Sequence, residues 1–403
     1  MGWTEHLGGN KYKLVERDPS KVKRPKRSIS VEVPADIAKS ARKTEKWLAV
    51  QLADWEEKVL SGQVVGRVKT ENISFKDFVP IWKEGHAKQN LGGKTLLNTM
   101  GDIERRLIPE FGDMPLSKIT TLQLVTWFAG LTNKKTGEPL ATNSKLNIYK
   151  AAKSIFDAAY KWKLIKENPM EGVPRPSANK KEKKAMRSKK QNYTMQEVET
   201  LLAALYDLPN NWRLYFTGVL LGGFRRGEYL AVEWSDLDFD RNAIWIEDQI
   251  TLDEEGKKVE SEVKTEESEA WVAMPKWYME ELKRYERQWR KEKLLCKNWQ
   301  GGEKQYIFHG GNGVMYYPST PTLTWRRFLA KHGLPHVKLH GLRHTAGMLL
   351  RESGVDLKTI QERLRHTKIG TTADIYTHES AIISREAADR LEVLNPELRR
   401  FAP

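Results

Sequence analysis

Residues 340–378 read HGLRHTAGMLLRESGVDLKTIQERLRHTKIGTTADIYTH, and the spacing of their apolar side chains decides how this part of the chain folds. Leucine and alanine recur at helical spacing from residue 340 to residue 353, and Gly354 follows as a stop signal. This pattern predicts a helix with one buried face. A second, short helix is predicted over residues 356–364, because Asp356 is a favourable N-cap residue.

The same stretch holds four side chains that can do chemistry together: His340, Arg343, His366 and Tyr376. Arginine grips phosphate oxygens in a planar fork, histidine moves protons near neutral pH, and tyrosine can attack phosphorus and hold it as an ester. Because His340 and Arg343 are three residues apart, they share one face of the predicted helix. The ordered set indicates phosphodiester chemistry without a metal, provided that a second arginine comes from elsewhere in the chain.

The bulk composition points to a polyanionic partner. The 403 residues suffice for two or three domains, and the formal net charge of +15 favours nucleic acid, with an acidic membrane surface as the second choice. No long apolar run is present and the N-terminus lacks an apolar region, so we expect neither a membrane span nor a signal peptide. The single cysteine, Cys296, excludes a disulfide framework and a cysteine-based zinc site and favours the cytoplasm.

The first 66 residues predict a small β-sheet followed by a helix. Residues 12–15 and 29–33 have strand-like patterns on either side of a basic turn, and residues 35–60 have helical spacing. Such a sheet could lie in a DNA groove, and a solvated basic arm is an equally good interpretation. The candidate DNA contacts in this segment are Lys11, Lys13, Lys21, Lys23, Arg24, Lys26 and Arg27.

Residues 70–175 predict a compact domain of four or five helices. Lys145 is a candidate phosphate contact on one of these helices. A solvated helix face is the alternative interpretation of that lysine.

The basic segment 176–190 is predicted to be a linker, because a run of lysines that follows two prolines does not pack a core. It could let the protein wrap a duplex between two DNA-facing domains, or it could be a plain tether. Its candidate DNA contacts are Lys180, Lys181, Lys183 and Lys184.

Residues 191–403 predict the last domain. Thr194 and Glu197 have the spacing of a capping box at a helix start, and residues 212–221 predict a buried helix. The glycine pair that follows turns the chain into a further helix, which reaches Val232. We then expect one antiparallel sheet of three strands before the remaining helices: 243–246, 258–264 and 271–274.

The second arginine is Arg225, in the sequence LLGGFRRGEYLAVEWSDLDF at 220–239. This sequence resembles the first conserved box of the tyrosine recombinases, and HGLRHT together with LRHTKIGTTADIYTH resembles the second. The family pattern is Arg, Lys, His-x-x-Arg, His and Tyr in that order. The resemblance is close over residues 191–380, and it suggests the integrase of a temperate phage or of an integrative conjugative element.

The resemblance implies a role for each matching residue. Arg225 and Arg343 would clamp the non-bridging oxygens of the scissile phosphate. Tyr376 would attack phosphorus and form a 3′-phosphotyrosyl bond, which keeps the energy of the cut bond so that rejoining needs no ATP. His340 would accept the tyrosine proton or position the tyrosine, and His366 would hydrogen-bond the phosphate. No metal and no cofactor is implied.

Three positions remain open or depart from the family pattern. Lys264 matches the lysine that would protonate the 5′-oxygen leaving group, but its hairpin is acidic and leaves Lys257 or Lys258 as substitutes. Arg226 is the alternative to its neighbour as the first clamp residue, and its ordinary role would be a salt bridge at a helix start. Arg365 stands where the family usually has glycine, which suggests a strained or DNA-facing backbone.

The implied architecture is α+β and mostly α. It comprises a small N-terminal β arm-binding domain at 1–66, a helical SAM-like core-binding domain at 70–175, the linker, and a mixed helical catalytic domain with a small antiparallel sheet at 191–403. The implied partners are duplex DNA with core and arm attachment sites, other copies of the chain in a homotetramer on DNA, an excisionase and a DNA-bending host protein. In the tetramer, the segment 380–394, with Arg385 and Arg390, would dock on a neighbouring protomer.

Three other functions are considered. A metal enzyme would use His340 and His344, which are four apart on a helix, but Arg343 between them would repel a cation. A catalytically silent DNA-binding regulator on the same scaffold has no need of Tyr376. A type IB topoisomerase shares the chemistry, but the basic arm and the helical domain favour site-specific recombination.

Overall fold

The computed structural model describes residues 2–17, 26–60, 73–187, 190–263 and 268–367, together with Gly370, Arg385 and Asp389. The chain divides into two compact units. Unit 1 comprises Met1–Lys83, Arg105–Gly137 and Ala152–Pro174, and unit 2 comprises Glu84–Glu104, Glu138–Ala151 and Arg175–Pro403.

Up to residue 187 the elements are three strands and then helices. Short π-helical turns lie at Lys83–Ala87 and Ile103–Leu107, and a 3-10 turn lies at Leu116–Lys118. In chain order the elements are β1 (Trp3–Gly8), β2 (Lys11–Arg17), β3 (Lys26–Glu32), α1 (Ala35–Ala38), α2 (Ala41–Leu60), α3 (Phe75–Trp82), α4 (Lys88–Asn90), α5 (Gly93–Asp102), α6 (Ile108–Phe111), α7 (Thr121–Ala129), α8 (Thr142–Lys161) and α9 (Lys180–Arg187).

The later elements alternate between helices and short strands. They are α10 (Met195–Leu205), α11 (Asn210–Gly222), α12 (Arg226–Ala231), β4 (Leu237–Asp238), β5 (Ala243–Ile246), β6 (Asp248–Leu252), β7 (Lys258–Glu262), β8 (Ala270–Ala273), α13 (Lys276–Leu295), α14 (Thr320–Lys331), α15 (Gly341–Glu352) and α16 (Leu357–Leu364). Among the helices that the structure describes, none combines the length and the apolar character needed to cross a bilayer.

Unit 1 begins with an antiparallel sheet in the order β1-β2-β3. The predicted strands are confirmed as β2 and β3, and Leu14 pairs with Ile29 in their register. Leu14 is buried with Leu48 and Trp55 of α2 in a small core, which confirms the predicted helix as well. Strand β1 was not predicted, because its residues are almost all exposed and lack an alternating apolar pattern.

The helices of unit 1 form around aromatic side chains. The ring centroids of Phe75 and Phe156 lie 5.8 Å apart, and those of Phe75 and Phe111 lie 6.5 Å apart. Ser74 caps α3 and Thr120 forms a capping box with Gln123 at the start of α7, so local hydrogen bonds fix where these helices begin. The predicted helical character of this part of the chain is confirmed.

The basic linker contains a helix, α9, which was not predicted from the sequence. Asn179 and Glu182 explain it, because each backbone N–H of this pair donates to the other's side chain, at 3.0 and 2.8 Å. Glu182 also accepts a hydrogen bond from the hydroxyl of Thr142 at 2.9 Å. This cap was not recognised in the sequence, because the composition of the lysine-rich run indicates a solvated segment.

In unit 2 the buried core surrounds α11, whose side chains Leu214, Tyr215 and Phe216 have no exposed surface. The predicted helix at 212–221 and the capping box of Thr194 and Glu197 are both confirmed. The helices predicted at 340–353 and 356–364 are confirmed as α15 and α16, with Asp356 accepting from two backbone N–H groups as the N-cap of α16.

The prediction of one three-stranded sheet from 243–246, 258–264 and 271–274 is wrong. The observed three-stranded sheet is β4-β5-β8, whereas β7 pairs with β6 in a separate hairpin. The turn between them explains the difference, because the Asp253 carboxylate accepts from the N–H groups of Glu255 and Lys257 and Gly256 has a φ of +82°. This turn folds β7 back onto its immediate neighbour, so that Leu252 pairs with Lys258.

Candidate active site

Gly223 brings Arg225 to the end of α16. Helix α11 ends at Gly222, and Gly223 follows in the left-handed conformation with a φ of +61°. A Cβ atom on Gly223 would lie 2.4 Å from Cδ2 of Leu364, the last residue of α16. The position therefore needs glycine for its backbone conformation and for the close approach of the two segments.

Arg225 is held by three acceptors and remains partly exposed. Its Nη1 donates to Oε1 of Glu228 at 2.5 Å and to Oγ of Ser268 at 3.3 Å, and its Nη2 donates to the carbonyl oxygen of Arg365 at 2.8 Å. Its backbone N–H donates to Oε2 of Glu228 at 2.9 Å. The Arg225 side chain keeps 37% of its surface exposed, against 3% for Glu228, so its guanidinium can still meet a ligand.

Glu228 is a buried carboxylate between two arginines. Burial alone would raise its pKa, but the charges of Arg365 and Arg225 lower it to about 2. The group is therefore ionised at neutral pH and holds both guanidinium groups. No part of the sequence pattern singled out this residue, and the signal that could have found it is its position one helical turn after Arg225.

Arg343 lies on the buried face of α15, with 1% of its surface exposed. Its Nη1 donates to the carbonyl oxygen of Gly223 at 2.6 Å, and its Nη2 donates to the carbonyl oxygen of Leu364. The side chain thus joins the segment that precedes Arg225 to the segment that precedes His366. The structure brings the two predicted clamp arginines to one place, Arg225 towards the surface and Arg343 beneath it.

His340 occupies the N-cap position of α15 and faces His344, with ring centroids 4.8 Å apart. Desolvation and the positive charges of His344, Arg343 and Arg225 lower the pKa of His340 to about 4. Its imidazole is neutral at pH 7 and can accept a proton.

His366 follows α16 and is fixed by Gln361, whose backbone and side chain make hydrogen bonds of 3.0 and 2.8 Å to its backbone. Burial lowers the pKa of His366 to about 3, and the charges of Arg343 and Arg225 lower it further in the same direction. The two histidines and the two arginines therefore belong to one electrostatic site, in which desolvation and the positive charge of the arginines keep both imidazoles neutral.

Two of the predicted catalytic residues, Lys264 and Tyr376, lie outside the described residues. The alternatives to the lysine have other contacts, since Nζ of Lys258 donates to the carbonyl oxygen of Met315 at 2.7 Å and Lys257 forms an exposed ion pair with Glu255. The segment 380–394 is also outside, apart from Arg385 and Asp389, which form an ion pair at 3.0 Å.

The alternative clamp residue, Arg226, lies at the first position of α12. Its Nη1 donates to the hydroxyl of Thr322 at 3.0 Å. The helix-start ion pair that was expected of Arg226 is made by Arg225 with Glu228. Both arginines line the cavity described next, so the choice between them as the phosphate clamp stays a prediction.

A cavity of about 1280 Å³ opens beside Arg225, and its lining is rich in positive charge. The segment 336–340 contributes His336, Lys338, Leu339 and His340 to the lining, and Lys338 is exposed. The acidic side chains in the lining are Asp253 and Glu262, and the basic or imidazole side chains are Lys94, Arg225, Arg226, Arg326, His336, Lys338 and His340.

Three of these cations, Lys94, Arg326 and Lys338, were not predicted as site residues. For Lys338 a signal was available in the sequence, because HVKLH at 336–340 alternates polar and apolar residues. Lys94 and Arg326 carry no such signal, since one charged residue on a helix is usually part of a solvated face.

The predicted DNA contacts are spread over the surface. Lys11, Lys26, Lys180, Lys181, Lys183 and Lys184 are exposed, and Lys13, Arg27 and Lys145 are partly buried. Lys13 lies 3.8 Å from Glu5, and Nζ of Lys26 lies 5.1 Å from the centroid of the Trp3 ring. Lys21, Lys23 and Arg24 lie outside the described residues. Each of these assignments stays a prediction.

A metal site is not found within the described part of the chain, where no group of three or more His, Cys, Asp or Glu side chains could hold an ion. His340 and His344 are close to each other, as the metal-enzyme hypothesis requires. The positive charges of Arg343 and Arg225 act on His340, and such charges oppose a bound cation.

Comparison with known proteins identifies the class. Residues 191–381 match the phage integrase family, and residues 74–131 match the N-terminal SAM-like domain of phage integrases. The chain belongs to this family of tyrosine recombinases, and it is a site-specific DNA recombinase by class. The recombinase assignment made from the sequence is thus confirmed, whereas the bounds of the predicted domains stay a prediction.

Individual relatives agree with this assignment. The chain is 29% identical over 296 residues to a XerC-like tyrosine recombinase of Caldanaerobacter subterraneus subsp. tengcongensis, covering 71% of this chain and 73% of the relative. It is 27% identical over 345 residues to the ICEBs1 integrase of Bacillus subtilis, covering 81% and 84%.

Two solved structures share the fold. The Tn1549 transposon integrase in complex with transposon right-end DNA superposes with a TM-score of 0.62 at 18% identity, covering 79% of this chain and 99% of that one. The lambda integrase tetramer bound to a Holliday junction gives a TM-score of 0.54 at 16% identity, covering 92% and 95%. The mostly helical fold with small antiparallel sheets is therefore confirmed.

Proposed function

We propose that this protein is the integrase of a mobile genetic element, and that it cuts and rejoins duplex DNA through a 3′-phosphotyrosyl bond to Tyr376. The observation that carries the proposal is the convergence of Arg225 and Arg343 on the loops at Gly223 and Leu364. Arg225 donates to the carbonyl oxygen of Arg365, in the loop after Leu364. Arg343 donates to the carbonyl oxygens of both Gly223 and Leu364. Two histidines kept neutral by desolvation and by this positive charge share the site, and a cation-rich cavity lies beside it.

The arginines supply the charge that the reaction needs. In the transition state, charge develops on the non-bridging oxygens of phosphorus, and preorganised guanidinium donors stabilise it without a metal. Arg225 would contact these oxygens directly, because its side chain is partly exposed. Arg343 is almost fully buried, so for it to reach the phosphate DNA binding must shift the loops at Gly223 and Leu364, whose carbonyl oxygens its guanidinium binds.

Proton transfers complete the reaction. The phenol oxygen of Tyr376 forms a bond to phosphorus, and its proton passes to the neutral imidazole of His340. The bond from phosphorus to the 5′-oxygen breaks, and Lys264 gives this oxygen a proton. His366 donates a hydrogen bond from its neutral imidazole to the phosphate. Rejoining runs the same steps in reverse, with the 5′-hydroxyl as the nucleophile and no further energy source.

The remaining parts of the chain would organise the DNA. We assign arm-site binding to residues 1–66, core-site binding to the helical segment 70–175 and catalysis to 191–403, joined by the basic segment 176–190. We further propose a homotetramer on DNA, in which segment 380–394 docks on a neighbour, with an excisionase and a DNA-bending host protein as accessory partners in the cytoplasm. The Tn1549 integrase in complex with DNA supports DNA as the partner, and the lambda integrase tetramer bound to a Holliday junction supports the tetramer.

The relatives support two sources of the integrase gene, a conjugative element and a phage. The match to the ICEBs1 integrase supports a conjugative element, and the match to a prophage integrase of Lactococcus lactis, 25% identical over 405 residues, supports a phage. The catalytic proposal is the same for both.

A suicide substrate tests the proposal. A nicked duplex that carries one end of the element should trap the wild-type protein as an adduct that resists SDS, equally well with and without EDTA. Tyr376→Phe should give no adduct, and Tyr160→Phe, which changes an exposed tyrosine elsewhere, should behave as the wild type. A wild type that binds this DNA without an adduct would favour the silent regulator, and an adduct that requires a divalent ion would favour the metal enzyme.

A further inference from the structure

Arg365 occupies a backbone conformation that normally belongs to glycine. Its φ and ψ are 53° and 52°, at the point where α16 ends. A side chain makes this left-handed conformation unfavourable, whereas the glycine usual in the family pattern would adopt it freely. The arginine therefore needs side-chain contacts that offset the backbone strain.

The guanidinium of Arg365 makes such contacts in the protein interior. Only 2% of the residue is exposed, and its Nη2 donates to Oε2 of Glu228 at 2.6 Å. The guanidinium also lies over the ring of Phe224, 5.5 Å from the centroid. A charge-assisted hydrogen bond and a cation–π contact thus hold a charged group that would otherwise be costly to bury.

Arg225 takes two of its acceptors from this buried pair. Its Nη2 donates to the carbonyl oxygen of Arg365 at 2.8 Å, and its Nη1 donates to Oε1 of Glu228 at 2.5 Å. The carboxylate is therefore shared, with one oxygen on the Arg225 guanidinium and the other on the Arg365 guanidinium. The position of Arg225 depends on Arg365 both directly and through Glu228.

The sharing also changes the charge that a ligand would meet. Paired with Glu228 alone, Arg225 would belong to a neutral ion pair. With Arg365 on the second oxygen, two guanidinium groups and one carboxylate leave an excess of positive charge. Because Glu228 and Arg365 are buried, bulk water and salt screen this charge only weakly.

We propose that Arg365 is a positioning residue for Arg225, which fixes the Arg225 guanidinium and restores the positive charge that Glu228 would otherwise cancel. This role rests on the proposed function, because it concerns the same scissile phosphate. It gives a reason for an arginine in place of glycine, since the strained backbone presents a carbonyl to Arg225 while the side chain balances Glu228.

Three variants of Arg365 separate the effect of its charge from the effect of its backbone conformation. Arg365→Gly removes the guanidinium and relieves the backbone, Arg365→Gln removes the charge, and Arg365→Lys keeps the charge. Arg363→Gln is a matched control. It also removes one arginine charge at the end of α16, but the Arg363 side chain donates to the carbonyl oxygen of Leu221 at 3.0 Å and not to Glu228. Circular dichroism melting of each full-length variant establishes that it is folded.

The rate of adduct formation at saturating suicide substrate is the first readout, and DNA affinity in the Tyr376→Phe background is the second. We expect Arg365→Gly and Arg365→Gln to slow adduct formation roughly 10- to 100-fold. This is the loss of activity found in metalloenzymes when a residue that orients a metal-binding side chain is removed. DNA affinity should change little, and Arg365→Lys should recover much of the rate. A purely structural role would not give rescue by lysine or an effect confined to the rate.

A double-mutant cycle tests the route through Glu228. If Arg365 acts through this carboxylate, Arg365→Gln should have a much smaller effect in a Glu228→Gln background than in the wild type. Folded Arg365→Gly and Arg365→Gln proteins that react at the wild-type rate would overturn the positioning role alone. A wild type that binds DNA but forms no adduct would instead refute the recombinase mechanism, and the positioning role with it.

Discussion

Nη1 of Arg343 donates to the carbonyl oxygen of Gly223 at 2.6 Å, so a buried arginine of α15 holds the loop that presents Arg225. Its Nη2 holds the carbonyl of Leu364 in the same way, just before Arg365 and His366. The guanidinium of Arg343 thus joins the sequence 220–239 to the sequence 340–378, which are more than 100 residues apart in the chain. The site is built from loop backbone as much as from side chains.

Gly223→Ala should destabilise the protein for two separable reasons. The substitution places a side chain at a φ of +61° and a Cβ atom 2.4 Å from Cδ2 of Leu364. Gly333→Ala is the matched control, because Gly333 has the same φ of +61° and open space around its Cβ position. We expect the control to cost about 1 kcal/mol from backbone strain and Gly223→Ala to cost roughly 2–4 kcal/mol in all.

Urea unfolding of both variants measures the difference. Equal losses of unfolding free energy would show that Leu364 yields easily and that the close approach of α16 to Gly223 is not a constraint on the site. A larger loss for Gly223→Ala should be accompanied by slower adduct formation, because Arg225 follows two residues later.

The sequence predicted those parts of the molecule that depend on local pattern. Helix α16 begins where Asp356 caps it, and Thr194 caps α10, because capping needs only neighbours in the chain. Arg225, Arg343 and the histidines were found because their residue types suit one reaction. Glu228 was missed, since its role comes from Arg365, which lies 137 residues away in the sequence.

The partner of strand β7 and the burial of the Arg365 side chain show why sequence pattern alone did not predict the whole structure. The strand at 258–262 was recognised, but its partner depends on the Asp253 turn, whose hydrogen bonds are invisible in apolar periodicity. The strained backbone expected at Arg365 is present, and its side chain points into a buried ion pair and not towards solvent. No single-sequence rule predicts a buried arginine, because the cost of burial depends on a partner far away.

Lys338→Ala should weaken DNA binding mainly through electrostatics. Lys338 is exposed in the lining of the cavity beside Arg225, where a phosphate of the DNA backbone would lie. Each phosphate contact contributes about 0.9 to the slope of log K against log salt for duplex DNA. We therefore expect the slope to fall by about one unit. Fluorescence anisotropy over a range of salt concentrations, in the Tyr376→Phe background, measures it.

Lys331→Ala provides the control for this change. Lys331 is an exposed lysine at the end of α14, and it is not part of the cavity lining. Its replacement removes the same formal charge and should leave the salt slope near the wild-type value. If both variants lower the slope equally, the effect comes from net charge, and the cavity is not the path of the DNA.

Glu228 should make stability fall in acid. The pKa of this carboxyl is lowered from 4.5 to about 2 in the folded protein, so the ionised form stabilises the fold above pH 4.5. That stabilisation, roughly 3 kcal/mol at 1.36 kcal/mol per pKa unit, is lost as the pH falls towards 2. The advantage of the wild type over Glu228→Gln in unfolding free energy should therefore grow between pH 2 and pH 4.5.

Asp236 supplies a control of opposite sign. Burial raises the pKa of Asp236 from 3.8 to about 6, so its ionisation in the folded protein is unfavourable and stability is lost as the pH rises through this window. The stability of the wild type relative to Asp236→Asn should fall between about pH 4 and pH 6, and above pH 4.5 the Glu228→Gln comparison is already level. Guanidinium unfolding at closely spaced pH values resolves the two windows. A Glu228→Gln difference that stays constant down to the lowest pH would mean that Arg365 and Arg225 do not hold an ionised carboxylate.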